Sequence, residues 1–139
     1  MEKQFIPITP IGVEKEALKM TVLNGQPEIF HSIQGEGRNL GQDVVFCRLS
    51  ECSLACSWCD SPQSWCYTQS KANQHEDGVV YDRAENQTQV SIDSLVESVK
   101  SYDEPHIVIT GGEPLLQQRV LPAFIKKLRN ENPDFYVEI

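Results

Sequence analysis

No apolar run in this sequence approaches the ~18 residues that a membrane-spanning helix requires, so no span is expected. The opening stretch, MEKQFIPITPIGVEKE, has acids and prolines where a secretory leader would carry a basic patch and then an apolar run. Positive charge is scarce: 12 lysines and arginines stand against 20 aspartates and glutamates, a formal net charge of −8. That deficit argues against direct nucleic-acid binding, where lysine and arginine neutralise phosphates. An even, scattered set of cysteines is missing as well. The chain has five cysteines, and a secreted disulfide scaffold would use an even number spread along its length. These absences together lead us to expect a soluble cytoplasmic protein with a small-molecule or protein partner.

The 139 residues suit one domain, able to bury about 68–70% of its unfolded surface without disulfides. Residues 1–26 read as an N-terminal lead-in of little periodicity, and the organised part spans 27–139. There PEIFHSIQGEGRNLGQ begins extended and runs into a glycine-rich turn, followed by DVVFCRL (43–49) as a short buried strand. Residues 60–90 are polar and read as a long variable connection with one short helical turn, placed as a lid beside the cysteines.

SIDSLVESVKSY (91–102) predicts an amphipathic helix capped by Ser91, with Ile92, Leu95, Val96 and Val99 on one face. HIVIT (106–110) reads as a buried strand ending in GGEP. Pro122 sits at the start of a second helix whose core residues are Leu121, Phe124, Ile125 and Leu128. FYVEI (135–139) reads as a third strand. Repeated βα units predict an α/β fold with a parallel sheet, its ligand site beyond the C-terminal strand ends. The cysteine loop (52–61) and the GGEP loop both fall there.

CSLACSWCD brings Cys52, Cys56 and Cys59 within eight positions. Three thiols so close suit metal or redox chemistry. Zinc would need a fourth ligand from Cys66, Cys47 or His75. A redox pair of Cys56 and Cys59 would leave Cys52 without a task. A [4Fe-4S] cluster on three thiolates leaves one iron open.

The motif Cys52-x3-Cys56-x2-Cys59 resembles the signature of the radical S-adenosylmethionine (SAM) superfamily. With EIFHSIQGEG, FCRL, the CDS that follows, Trp65 and TGGEPLLQ, the chain is similar to the 7-carboxy-7-deazaguanine synthase family of 7-deazapurine (queuosine) biosynthesis. The resemblance implies the N-terminal portion of a partial (βα)6-type barrel, with a [4Fe-4S] cluster, SAM and Mg2+ as cofactors. It also implies a carbon–nitrogen lyase reaction in which a SAM-derived radical converts 6-carboxy-5,6,7,8-tetrahydropterin to 7-carboxy-7-deazaguanine with loss of ammonia.

By the same resemblance Cys52, Cys56 and Cys59 hold the cluster, and no catalytic side chain is implied beyond the cluster and SAM. Trp58, Cys59, Asp60, Gly111, Gly112, Glu113 and Pro114 would meet SAM. Ile33, Gln34, Gly35, Glu36, Arg48 and Thr110 would bind the pterin, with Arg48 on its carboxylate. Ser61 would offer its hydroxyl to Mg2+, where the family usually has threonine. A flavodoxin-like or ferredoxin-like donor would supply the electron. Family members continue past residue 139, so the resemblance implies a shortened chain completed by a homodimer or a complementing chain. The competing readings are a non-catalytic Fe–S or zinc module, a subunit of a split enzyme, and a glycyl-radical activating enzyme. Cys47 and Trp65 read as core residues, and Cys66, His31, His75 and His106 receive no role.

Overall fold

The computed structural model describes residues 16–68, 70 and 75–139. Seven strands form one sheet: β1 (Ala17–Leu23), β2 (Gln26–Pro27), β3 (Ile29–Ile33), β4 (Asp43–Leu49), β5 (Gln87–Ser91), β6 (His106–Gly111) and β7 (Tyr136–Glu138). The helices are α1 (Arg83–Asn86), α2 (Ile92–Lys100) and α3 (Leu121–Glu131), with 3-10 turns at Pro62–Ser64 and Pro114–Gln117.

The expected parallel sheet is only partly right. β4, β6 and β7 run parallel; the connection from β4 to β6 passes through α1, β5 and α2, and that from β6 to β7 through α3. β3 pairs antiparallel with β4, and β1 pairs antiparallel with β2, β4 and β5. The sheet is therefore mixed. Two local readings change with it. The lead-in assigned to 1–26 holds β1 and β2, while residues 1–15 lie outside the described residues. The polar connection of 60–90 ends in a strand, β5. In β1 the buried Leu18 and Met20 alternate with Lys19; in β5 Thr88 and Val90 turn inward between glutamines. Both follow the period of two, but with too few apolar residues to stand out in sequence.

The other expected elements form where the pattern placed them. Ser91 caps α2 by accepting a hydrogen bond from Ser94 N–H at 3.2 Å. Pro122 stands in the first turn of α3, where its missing N–H costs nothing, after the short turn at Pro114–Gln117. Leu95, Val96 and Val99 of α2 and Leu121, Phe124 and Leu128 of α3 bury against Val45, Cys47 and Leu49 of β4 and Ile107 and Ile109 of β6. Each such side chain contributes about 1.5–3 kcal/mol of transfer free energy.

Alternation along β4 sends Phe46 and Arg48 to the opposite face, away from the helices. Thr110 lies beside Arg48 in the parallel register, and Phe30 stacks on Phe46 at 5.2 Å. Two faces of one sheet thus divide the work: one is the helix-packed core, the other carries the polar groups.

Candidate metal centre

Because β4 and β6 are parallel neighbours, the loops that follow them leave from the same edge of the sheet. Glycine lets these loops touch. A Cβ on Gly111, whose φ is +144°, would lie 2.0 Å from the Leu49 carbonyl oxygen. A Cβ on Gly112 would lie 2.2 Å from the Glu51 carbonyl oxygen and 2.9 Å from the Cys52 Cβ. Gly112 N–H donates to Leu49 O at 3.2 Å and Glu113 N–H to Glu51 O at 2.9 Å. The β4–β6 ladder thus continues past the strands to the residue before Cys52. Both glycines thus make their close contacts with the end of β4 and the start of the cysteine loop.

Within that loop Cys52, Cys56 and Cys59 are partly exposed and form no disulfide. Ala55 takes a positive φ of 49° and Cys59 N–H donates to Cys56 O at 3.2 Å, which turns the chain sharply. Leu54 N–H points at Cys52 Sγ and Ser61 N–H at Cys59 Sγ, each at 3.4 Å. Among the described residues, no group of three His, Cys, Asp or Glu side chains is arranged to hold a metal ion. A mononuclear site needs that convergence on one point. A cuboidal cluster instead takes one thiolate at each of several irons, so the donor chemistry fits a cluster held at three separate corners. Trp58 and Leu54 stand on the rim, 74% and 71% exposed.

Arg48 is engaged on the polar face of the sheet. Its Nε donates to Glu28 Oε1 at 2.9 Å and its Nη1 to Ser61 Oγ at 3.2 Å. Ser61 Oγ donates in turn to Asp60 Oδ1 at 2.9 Å, and Thr21 Oγ1 donates to Glu28 Oε2 at 2.7 Å. A continuous chain therefore runs from β1 through Glu28 and Arg48 to the end of the cysteine loop.

The SIQGEG segment folds over the same face. Ile33, Gly35 and Glu36 are exposed, whereas Gln34 is buried and donates from Nε2 to Glu138 Oε1 at 3.4 Å. Glu138 also accepts from Asn39 Nδ2 at 2.9 Å and lies 3.1 Å from His106 Nε2. The Asn39 amide and His106, against the opposing effect of burial, hold the Glu138 carboxyl below the usual range. Glu113 caps the turn after GGE by accepting from Leu115 N–H at 2.9 Å.

Sequence reasoning did not find the roles of several contributors. Glu28 partners Arg48, and Glu138 with His106 anchors Gln34. Glu51 receives Lys19, Arg83 and Gln87. His75 lies 2.6 Å through Nε2 from the Cys59 carbonyl, and Glu76 N–H donates to Ser57 O at 2.9 Å. The Asp77 carboxylate raises the His75 pKa, and the ring meets Trp65 edge-on. None of these carries a local motif, and apart from Asp77 beside His75 the partners are distant in sequence. Cys47 is fully buried, as expected, with its pKa pushed up to about 12 by desolvation. Trp65 is buried too.

A protein-family profile described as a 4Fe-4S single cluster domain matches residues 33–137, which includes all three loop cysteines and the GGEP turn. The chain belongs to this family. Among its relatives are 7-carboxy-7-deazaguanine synthases. That of Aquifex aeolicus is 35% identical over 80% of this chain and 42% of the relative. That of Buchnera aphidicola is 35% identical over 80% of this chain and 51% of the relative. The chain thus spans about half the length of these relatives. The crystal structure of QueE from Escherichia coli has a similar fold, with a TM-score of 0.55 at 22% identity, covering 81% of this chain and 49% of that one.

Proposed function

We propose that this chain is the cluster-binding part of a radical SAM enzyme of the 7-carboxy-7-deazaguanine synthase type. In this reading its sheet is the N-terminal portion of a partial (βα)6-type barrel. The reaction is conversion of 6-carboxy-5,6,7,8-tetrahydropterin to 7-carboxy-7-deazaguanine with loss of ammonia. The observation that carries the reading is the seam between two loops, where Gly111 and Gly112 pack on the backbone that delivers Cys52. A three-cysteine loop locked to a GGEP turn at parallel strand ends is a platform for a cluster and an adjacent small cofactor.

Bound there, a [4Fe-4S] cluster with SAM would supply one-electron chemistry for hydrogen abstraction. The chain's own residues bind and orient. Cys52, Cys56 and Cys59 hold the cluster, and Trp58 and Asp60 flank it. Gly111, Gly112, Glu113 and Pro114 receive the methionine end of SAM. Ile33, Gln34, Gly35 and Glu36 line the pterin side, with Thr110 adding a hydroxyl. Arg48 meets the pterin carboxylate while Glu28 holds its Nε, so its charge is divided between the two. Magnesium at Ser61 fits less well. That hydroxyl already accepts a hydrogen bond from the Arg48 guanidinium, which would repel a dication.

The exposed rim of Trp58 and Leu54 suits docking of a flavodoxin-like or ferredoxin-like electron donor. A homodimer or a complementing chain is the partner in the same proposal. Cytoplasmic location belongs to the same proposal; among the described residues no helix is long and apolar enough to cross a membrane.

Anaerobic reconstitution with iron and sulfide tests the reading. The expected result is about four irons per chain, as a [4Fe-4S] cluster requires, and a dithionite-reduced EPR signal absent from Cys56→Ala. One tightly held zinc with no capacity for iron would sink it. Adding SAM and dithionite then asks whether 5′-deoxyadenosine forms above the Cys56→Ala level.

A further inference from the structure

Glu51, the residue before Cys52, has a φ of +80°. That left-handed conformation is costly for a residue with a Cβ and easy for glycine. Glycine would lack the carboxylate, and the carboxylate is the best-connected group in the neighbourhood. Glu51 Oε1 accepts from Arg83 Nη1 at 2.6 Å, Gln87 Nε2 at 2.9 Å and Lys19 Nζ at 3.4 Å. Three elements, α1, β5 and β1, therefore converge on one oxygen.

The Glu51 backbone is held as firmly. Its N–H donates to Ser64 O at 2.8 Å and its carbonyl accepts from Glu113 N–H at 2.9 Å. Ser50 Oγ, one residue earlier, accepts from the same Gln87 Nε2 at 2.6 Å. Arg83 is itself seated 4.4 Å over the Tyr67 ring, whose hydroxyl lies 2.9 Å from Ser50 Oγ.

We propose that Glu51 is a positioning residue for the cysteine loop: its carboxylate, clamped by Lys19, Arg83 and Gln87, holds the left-handed turn that aims Cys52 and docks the GGEP turn. This rests on the cluster reading for its purpose, but the clamp has its own consequence in the metal-free protein. Lys19 and Arg83 also pair with the carboxylate that stands one residue before Cys52. The segment from Arg83 to Gln87, far from the cysteines in sequence, becomes a strut for the metal loop.

The test uses the full chain with Glu51→Gly, Glu51→Gln and Arg83→Gln. In the metal-free protein, hydrogen exchange at the Glu51 and Glu113 amides is read against the Val45 and Ile109 amides. We expect Glu51→Gly and Arg83→Gln to raise exchange about tenfold at the loop amides and leave the core amides unchanged. After reconstitution, both variants are expected to lose most of the bound iron. Glu51→Gln, keeping the shape but not the charge, is expected to retain a cluster whose reduced EPR g-values are shifted at unchanged Tm. A purely structural role would not move that spectrum.

If Glu51→Gly matches the wild type in exchange and iron content, the backbone alone sets the loop and the proposal is overturned. If that variant does not fold, Arg83→Gln decides, since its side chain is 47% exposed and outside the core. Should the wild type bind no iron while exchange responds as expected, the positioning role stands and the cluster reading falls.

Discussion

Arg48 shows how one contact changes the meaning of a residue. In sequence it is a lone arginine at the end of an apolar strand, open to a substrate carboxylate or to solvent. In the fold its partner is Glu28, whose side chain is 10% exposed against 21% for Arg48. Breaking such a pair leaves an uncompensated charge, so Glu28→Ala should cost about 3 kcal/mol. The double variant Glu28→Gln with Arg48→Met should recover much of that, and urea unfolding of both checks the pair. Glycines at the seam are equally exacting. Gly112→Ala would press a methyl group to 2.2 Å from the Glu51 carbonyl oxygen, so about 2–3 kcal/mol of lost stability is expected from the forced displacement. Thermal unfolding measures it.

Cys47 gives the pH dependence. Burial pushes its pKa up to about 12 from an ordinary 9.0, so the folded state keeps it protonated where the unfolded chain ionises. The unfolded state then binds fewer protons above the ordinary value, and the Cys47 contribution to stability declines between pH 9 and about 12. Cys47→Ala or Cys47→Val should flatten that part of the stability profile. In native protein at pH 8, alkylation should reach Cys52, Cys56 and Cys59 and spare Cys47, as peptide mass spectrometry can read.

At the scale of elements, legibility followed apolar density. α2 could be read in full because a capping serine precedes four apolar residues at helical spacing, and each of them is buried. Ser91→Ala should cost about 1 kcal/mol through the lost cap, and Leu95→Ala about 2–5 kcal/mol through the cavity it leaves. Chemical denaturation separates the two. β1 and β5 were not readable. Their inward positions include threonines, and they pair with each other across a long intervening chain, from Ala17 to Ser91 at one end and Thr21 to Gln87 at the other. Neither strand has enough local signal to define itself; pairing defines both. That pair, with β3 antiparallel on β4, makes the sheet mixed where a parallel one was expected.

For the whole molecule, the cluster loop is where stability and function meet. It leaves the sheet edge at Glu51, returns at Ser61, and is crossed by His75 and Glu76 from the polar connection. A group bound only by the folded loop stabilises the folded state by mass action. The reconstituted protein should therefore unfold at a higher temperature than the metal-free one, by several degrees, and Cys56→Ser should abolish the difference. Calorimetry under anaerobic conditions reads it.

By itself the sequence determined the chemistry available here: three thiols at fixed spacing, a glycine pair before an acid and a proline, and two amphipathic helices around two apolar strands. These are local patterns, set by residue type and by the 2.0 and 3.6 periods. Tertiary structure alone decided which of those groups are engaged. It gave Arg48 to Glu28, Gln34 to Glu138 and the polar connection to the cysteine loop, and it used the glycine pair to join two loops. The reason is physical: buried polar groups take whatever partner the sheet register brings within reach, and register is fixed by pairing between distant segments.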